Sequence, residues 1–247
     1  MTPTGIIGGT GLAQLEGLEI EREARLDTPW GEPSTALLYG HFAGRPVVFL
    51  ARHGSPHDIA PHAINYRANV WALREAGVGR VIAVNAVGGI SSDCAPGSLV
   101  IPDQLIDYSW GRAHSYCDGA AMPLEHVDFT EPYTAAVREW LLWAGAAAGV
   151  EPRDGGTYAA TQGPRLETAA EIDRLQRDGC DIVGMTGMPE AALARELGLE
   201  YACCAVVVNW AAGRGGDIHA ELDEWVETGV AAARRLLRAA LAAEMAP

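Results

Sequence analysis

The stretch from residue 158 to 209 constrains the fold most, because short apolar segments alternate in it with helical patterns. The predicted strands are Tyr158–Ala160, Asp181–Gly184 and Tyr201–Val208, and the predicted helices run from Glu167-Thr168 to Gly179 and from Pro189 to Gly198. Apolar strands separated by helices are typical of a parallel sheet that is buried on both faces. The sequence therefore predicts an α/β fold, with a central mixed, largely parallel sheet flanked by helices.

Functional groups follow the predicted strands of this stretch, where each strand ends. They are Gln162, Glu167, Met185, Thr186 and Asn209. Any one of them alone is best explained as a loop residue or a helix cap. Ligands of open α/β sheets bind beyond the carboxyl ends of the strands. Five such residues at successive strand ends therefore predict a binding site.

The remaining chain continues the α/β pattern without internal repeats or a low-complexity linker, which predicts one domain over residues 1–247. Further strands are predicted at Gly5–Gly8, Ala36–Tyr39, Pro46–Ala51, Arg80–Val84 and Leu99–Ile106, and further helices at Pro61–Ala76, Thr134 to about Ala148, and about His219 to Ala243.

Glycines follow the first predicted strand in the sequence Gly9-Thr10-Gly11. Glycines at a strand end let the backbone approach a ligand, and exposed N–H groups there suit an anion. The segment lacks the Lys-Ser/Thr of a P-loop, and Gln14 stands where a dinucleotide fingerprint has its third glycine. Taken alone, the segment is best explained as a tight turn that binds nothing.

Arg52 and His53 follow the predicted strand that ends at Ala51. A guanidinium at a strand end suits a phosphate or a carboxylate, and the histidine can act as an acid, a base or a second donor. His53, His57 and His62 can also suggest a metal site. However, Pro56 disfavours a helix through them, and no carboxylate or cysteine is spaced with them as a ligand. No metal site is therefore predicted.

The net charge of −14 at pH 7 argues against nucleic acid or an anionic membrane as the partner, because both need a basic surface. The chain has five cysteines without C-x-x-C spacing, which indicates free thiols in a reducing compartment. No apolar run has the length of a membrane span, and the N-terminal residues lack a signal-peptide pattern. A cytoplasmic location is the resulting expectation.

Six motifs occur together in this order: GGTGL (8–12), ARHG (51–54), NYRANVWAL (65–73), NAVGG (85–89), TQGPRLET (161–168) and VGMTGMPEA (183–191). As a set, they resemble the trimeric purine nucleoside phosphorylase and methylthioadenosine phosphorylase family, over residues 5 to about 213. Within that family, the likeness is strongest to the branch that cleaves 5'-methylthioinosine. The resemblance implies the nucleoside phosphorylase fold and a homotrimer.

The reaction that the resemblance implies is phosphorolysis, in which phosphate attacks C1' of a purine nucleoside and the free purine leaves. No metal or organic cofactor is implied, and inorganic phosphate is the co-substrate. Such an enzyme holds phosphate beneath the sugar and stabilises charge on the departing base. By resemblance, the phosphate-binding residues are Thr10, Arg52, His53, Asn85, Ala86 and Thr186. By the same resemblance, the nucleoside-binding residues are Met185, Leu166, Glu167, Asn209, Gly88 and His126, with Asn209, Glu167 and His53 as the catalytic residues.

The base can be inferred from hydrogen-bonding groups. A 6-oxopurine presents an N1–H donor and an O6 acceptor, whereas adenine reverses both. An ionised Glu167 only accepts, so it suits N1–H, and Asn209 can donate to N7 or O6. The adenine-cleaving branch has Asp at the position of Asn209, Asp at that of Ala211 and Ser at that of Glu167. These departures indicate hypoxanthine or guanine.

Two positions depart from the family pattern. Leu166 stands where many members place an aromatic ring against the base. The segment 210–219 does not align cleanly with the part that contacts the 5'-group, and His219 is either a 5'-hydroxyl ligand or a solvated residue at a helix start. The expected substrate is 5'-methylthioinosine. The alternatives are 5'-methylthioadenosine, inosine or guanosine as the substrate and, in another class, a nucleotide-binding module without catalysis.

Overall fold

Eleven strands form one sheet in the computed structural model, which describes residues 1–117 and 122–243. The strands are β1 Thr4–Gly8, β2 Glu19–Ala24, β3 Leu37–Phe42, β4 Arg45–Ala51, β5 Arg80–Gly89, β6 Leu99–Ile101, β7 Gln104–Asp107, β8 Arg153–Asp154, β9 Thr157–Ala160, β10 Ile182–Gly184 and β11 Glu200–Trp210. The helices are α1 Tyr66–Glu75, α2 Ala135–Ala147, α3 Ala169–Arg177, α4 Gly187–Glu196 and α5 Ile218–Ala242, and a short 3-10 helix covers Pro61–Ala63.

The sheet is mixed and largely parallel, which confirms the predicted fold class. Its centre is the parallel set β4-β1-β5-β11. Strands β7, β9 and β10 form a second parallel set. The two sets join where β10 runs antiparallel to the last two residues of β5, Gly88 and Gly89. The antiparallel pairs β2–β3 and β3–β4 complete the other edge.

Helices cover both faces of the sheet, and the alternation of side chains along β11 shows why. Tyr201, Cys203, Ala205 and Val207 belong to the hydrophobic cluster that contains α1 and α4. The residues between them belong to the cluster that contains α2 and α5. Because successive side chains of a strand point to opposite faces, a continuous apolar strand requires this double cover.

Several boundaries differ from the sequence-based predictions. The stretch predicted to be extended from Leu99 to Ile106 is two strands, because Pro102 cannot donate to a ladder, and β6 pairs with β11 whereas β7 pairs with β9. The helix predicted from Pro61 begins at Tyr66, where the Asn65 side chain accepts a hydrogen bond from the Ala68 amide.

Strand β5 continues to Gly89 instead of ending near Val84, so the glycines predicted to follow a strand lie within one. Strands β2 and β8 were not predicted. The exposed strand β2, Glu19–Ala24, is charged along most of its length, so its sequence lacks the apolar alternation that predicts a strand. It is a strand because it pairs with β3. Within residues 1–117 and 122–243, no helix is long and apolar enough to cross a membrane.

Candidate active site

A cavity opens where the ends of β1, β4, β5, β10 and β11 meet. Most of the sequence-predicted site residues line it: Thr10, Arg52, His53, Ala86, Gly88, Leu166, Glu167, Met185, Thr186 and Asn209. Strand β10 reaches this cavity from the opposite direction to β5, since the two strands are antiparallel. Its short overlap with β5 places Met185 and Thr186 beside Asn85 and Ala86.

One end of the cavity is suited to an anion. It combines the Gly9-Thr10 turn with Arg52, His53 and Thr186. Gly9 permits this close approach, because a Cβ there would lie 2.7 Å from the Val84 carbonyl oxygen and 2.9 Å from Arg52 Nη1. A side chain larger than hydrogen would therefore push the turn and the guanidinium apart.

Arg52 is fully buried, and a carboxylate balances its charge. Its Nε donates to Glu190 Oε2 at 2.8 Å and its Nη2 donates to Glu190 Oε1 at 2.9 Å. Its Nη1 donates to the Val84 carbonyl at 3.1 Å. The Tyr201 hydroxyl donates to Glu190 Oε1 at 2.8 Å. The pair is bidentate, which fixes the plane of the guanidinium.

Burial alone would lower the pKa of Arg52, but the adjacent Glu190 carboxylate outweighs it and holds that pKa above its ordinary value. The guanidinium therefore stays charged. Three of its five N–H groups are used in the bonds described above, and two remain to donate toward the cavity.

His53 is neutral at physiological pH. Burial, together with the charge of Arg52, lowers the pKa of His53 to about 4. Its Nδ1 lies 2.9 Å from the Ile59 carbonyl oxygen. Since a carbonyl can only accept, Nδ1 carries the proton and Nε2 holds a lone pair. The ring therefore offers an acceptor, which suits the remaining proton of a monohydrogen phosphate.

Asn85 lies behind the cavity and orients Thr186. Its Nδ2 donates to Thr186 Oγ1 at 2.8 Å, and Cys203 Sγ lies 3.3 Å from its Oδ1. Burial raises the pKa of Cys203 well above its ordinary value, so the thiol keeps its proton and donates it. Because Thr186 Oγ1 accepts from Asn85, its own hydrogen is left to donate to a ligand.

The other end of the cavity holds Glu167 and Asn209. Glu167 Oε1 accepts a hydrogen bond from the Thr161 hydroxyl at 2.6 Å, and Asn209 Nδ2 donates to the Trp210 carbonyl at 2.6 Å. The register of β11 against β5 shifts between Val207 and Asn209. Such a bulge re-aims the side chain that follows it, here Asn209. A carboxylate acceptor and an amide therefore face one ligand volume.

Leu166 and Met185 supply apolar surface to the same cavity, and Leu166 is 40% exposed. His126 is exposed and does not line the cavity. Asn85, as described, contacts Thr186 instead of lining the cavity. Gln162, also predicted at a strand end, lines a neighbouring cavity instead. The remaining predicted site residues converge on the first cavity.

The segment that follows Asn209 forms a wall of the cavity. Ile218 and Leu222, one turn apart on α5, both line it. Glu221 accepts hydrogen bonds from the Trp210 and Gly216 amides at 2.7 and 2.9 Å, which holds this segment against α5. His219 is exposed in the first turn of α5 and does not line the cavity.

A second cavity lies next to the first and shares Glu167 with it. Its cationic residues are already paired, Arg165 with Glu171 at 2.8 Å and Arg174 with Asp178 at 3.6 Å. The first cavity is the better candidate active site, because it alone combines Arg52, Thr186, Glu167 and Asn209. Within the described residues, no group of three or more His, Cys, Asp or Glu side chains could hold a metal ion.

Sequence reasoning missed Glu190, Tyr201 and Arg112 as parts of the site. Glu190 lies 138 residues from Arg52 along the chain. The one feature of the sequence that could have indicated it is a carboxylate among apolar residues at the start of a helix. A carboxylate that is buried there needs a buried cation as its partner. Arg112 gives no such signal, because its partners are mostly backbone carbonyls.

The fold and the cavity define an α/β protein that joins an anion site to a carboxylate–amide pair. The sequence profile of the phosphorylase superfamily matches residues 3–242. The chain belongs to the phosphorylase superfamily, which confirms the family indicated by the sequence motifs.

Individual relatives agree with this assignment. The chain is 53% identical over 245 residues to a probable S-methyl-5'-thioinosine phosphorylase of Pseudomonas syringae, covering 98% of this chain and 100% of the relative. It is 45% identical to a 6-oxopurine nucleoside phosphorylase of Pyrococcus furiosus, covering 92% and 87%. The structure of a methylthioadenosine phosphorylase from Schistosoma mansoni in complex with adenine superposes with a TM-score of 0.91 at 30% identity, covering 98% and 91%.

Proposed function

We propose that this protein catalyses phosphate-dependent cleavage of the N-glycosidic bond of 6-oxopurine nucleosides, with 5'-methylthioinosine as the preferred substrate. The products are hypoxanthine and 5-methylthioribose 1-phosphate. The observation that carries the proposal is a single cavity with Arg52, His53 and Thr186 at one end and Glu167 and Asn209 at the other. Relatives named for these activities support it.

Different residues of the cavity have different roles in the proposed reaction. Thr10, Arg52, His53, the backbone of Ala86, and Thr186, with Asn85 behind it, hold phosphate at the anion end. Glu167 accepts from the purine N1–H. Asn209 rotates from the Trp210 carbonyl to donate to N7 or O6, which stabilises the negative charge that develops on the leaving base. Gly88, Leu166 and Met185 pack around the purine and the ribose. Inorganic phosphate is the co-substrate, and no metal or organic cofactor takes part.

The test is an absorbance assay with 5'-methylthioinosine, inosine and 5'-methylthioadenosine, each with and without phosphate. We expect cleavage only with phosphate and the highest kcat/KM with 5'-methylthioinosine. A nucleotide-binding module would turn over none of the three. Preference for 5'-methylthioadenosine would refute the assignment of the base but would leave the assignment of the reaction as phosphorolysis unchanged.

The apolar wall favours a methylthio group over a hydroxyl. Ile218 and Leu222 offer no hydrogen bond to a 5'-hydroxyl, and both face the cavity. The Ile218→Ser variant is expected to lower the ratio of kcat/KM for 5'-methylthioinosine over inosine about 10-fold, the size typical of a changed hydrophobic contact. Ala220→Ser is the matched control, because Ala220 is exposed on the same turn. An unchanged ratio in Ile218→Ser would place the 5'-group elsewhere.

We further propose that residues 1–247 form one catalytic domain that assembles as a homotrimer in the cytoplasm. His126 is exposed on a segment that also carries Leu124, a large side chain 72% exposed. The family that the motifs resemble is trimeric, and segment 126–133 matches the part of that family that reaches the 5'-group of a neighbour. In that trimer, His126 reaches the 5'-group bound to a neighbouring protomer. The five free, buried cysteines favour a reducing compartment.

Light scattering at micromolar concentration is expected to report a particle of three chains. The Leu124→Asp variant should shift the protein toward monomers and lower kcat/KM, because a neighbour no longer completes the site. An active monomer of the unmodified protein would contradict the shared site.

A further inference from the structure

Arg112 makes a set of contacts that the reaction as described does not use. It lies after β7, in the segment 108–117, which has neither helix nor strand. Each of its five N–H groups has an acceptor. Nη1 donates to the Met185 and Met188 carbonyls at 2.8 and 2.6 Å, Nη2 donates to the Thr161 and Gln162 carbonyls at 3.1 and 2.8 Å, and Nε donates to Gln162 Oε1 at 3.2 Å.

These acceptors belong to two loops. Loop 161–167 follows β9 and carries Glu167. The second loop follows β10, carries Met185 and Thr186, and leads into the start of α4, where the backbone of Met188 is not helical. The loops touch, since a Cβ on Gly163 would lie 2.4 Å from Met185 Sδ. Strands β9 and β10 fix the loops only at their starts, through a parallel ladder that ends at Ala160 and Gly184. Beyond that ladder, Arg112 is the cation that joins them among the described residues.

Backbone carbonyl oxygens surround the Arg112 guanidinium in this contact. Four carbonyl dipoles point their negative ends at one small volume, where they repel one another. A planar guanidinium satisfies all of them at once, because its five donors form a rigid fork. A lysine at the same place has three donors from a single point and cannot span both loops.

We infer that Arg112 is a positioning residue that sets the distance between the purine-reading Glu167 and the ribose- and phosphate-binding pair Met185-Thr186. The inference rests on the proposed function. Arg112 does not line the cavity among the described residues, so it acts through the two loops and not on the substrate. A nucleoside spans both loops, whereas free hypoxanthine and phosphate each engage one end.

The Arg112→Met variant is expected to affect the nucleoside strongly, and hypoxanthine or phosphate alone only weakly. We expect kcat/KM for 5'-methylthioinosine to fall about 100-fold, the cost typical of a misplacement of about 1 Å. The Kd values of hypoxanthine and of phosphate alone, measured by calorimetry, should change less than about threefold, because neither ligand needs the two loops in register. Arg112→Lys should show the same pattern with a smaller loss, and it serves if Arg112→Met does not fold.

Arg138→Met is the matched control. Arg138 also donates to two backbone carbonyls, those of Ile101 and Pro102, but it lies on α2 outside the cavity. Its kinetic constants should stay unchanged. Equal losses for nucleoside, hypoxanthine and phosphate, or unchanged nucleoside kinetics in Arg112→Met, would overturn the inference. Absence of turnover by the unmodified protein would instead refute the proposed function, and this inference with it.

Discussion

Replacing Glu190 by glutamine is expected to lower the free energy of unfolding by about 3–5 kcal/mol, because it leaves the buried Arg52 guanidinium without a balancing charge. Both side chains of this pair are 0% exposed. Glutamine keeps the shape and one oxygen, which can accept from the Tyr201 hydroxyl and from Arg52 Nη2, but its NH2 group cannot accept from Arg52 Nε. Chemical denaturation followed by circular dichroism measures the loss.

The double variant Arg52→Met with Glu190→Gln distinguishes stability from phosphate binding. Removing both charges should restore most of the stability, since replacing a complete buried pair costs far less than breaking it. The KM for phosphate should remain raised about 10- to 100-fold in that background, the equivalent of a lost hydrogen bond to a charged group. The KM for the nucleoside should change far less.

Glu200→Gln is the matched control, because the Arg80–Glu200 pair is partly exposed, at 23% and 44%. An exposed pair of this kind contributes about 0–1 kcal/mol. If the double variant recovers its stability and binds phosphate normally, Arg52 has a structural role only, and the assignment of the anion site fails.

The sequence predicts those parts of the fold that depend on local, repeating patterns of residues. Alternation of apolar strands with helices indicated the α/β class, and the groups at strand ends such as Arg52, Thr186 and Asn209 do come together in one cavity. The rule that parallel strands place their ends at one edge was too simple here. Strand β10 is antiparallel to β5 and still delivers Met185 and Thr186 to the cavity, which only tertiary pairing decides.

Features set by distant partners were not predictable from local pattern. The bulge before Asn209 depends on the pairing of β11 with β5. The Glu190 carboxylate looks like an ordinary first-turn residue until Arg52 is folded against it. The charged strand β2 lacks apolar alternation and acquires its structure from β3. In each case, the deciding interaction joins residues that are remote in the sequence or only weakly marked in it.

The base preference is the other property for which a large effect is expected. Glu167 is held by the Thr161 hydroxyl, and as a carboxylate it can only accept a hydrogen bond. The N1–H of hypoxanthine satisfies it, whereas N1 of adenine would place two acceptors against each other. A site built to bind one hydrogen-bonding pattern rejects the reversed one by a factor on the order of 10^4, because buried polar groups stay unpaired. The unmodified enzyme should therefore prefer 5'-methylthioinosine strongly.

The triple variant Glu167→Ser, Asn209→Asp and Ala211→Asp is expected to reverse the ratio of kcat/KM for 5'-methylthioinosine over 5'-methylthioadenosine. The serine no longer opposes adenine N1, and the new carboxylates can accept from the 6-amino group and bind a protonated N7. Ala211 lines the cavity, so its replacement reaches the same ligand volume as Asn209.

Glu167→Gln alone should reduce cleavage of 5'-methylthioinosine and partly admit 5'-methylthioadenosine, because an amide is a weaker, neutral acceptor that can also donate to adenine N1. The matched control is Glu171→Gln, four residues along the same segment. Glu171 forms a capping box with Thr168, which glutamine preserves, and it does not line the cavity. Its substrate ratio should equal that of the unmodified enzyme. A ratio unchanged in Glu167→Gln and in the triple variant would mean that other groups read the purine, since neither the charge at residue 167 nor the amide at residue 209 would then contact the base.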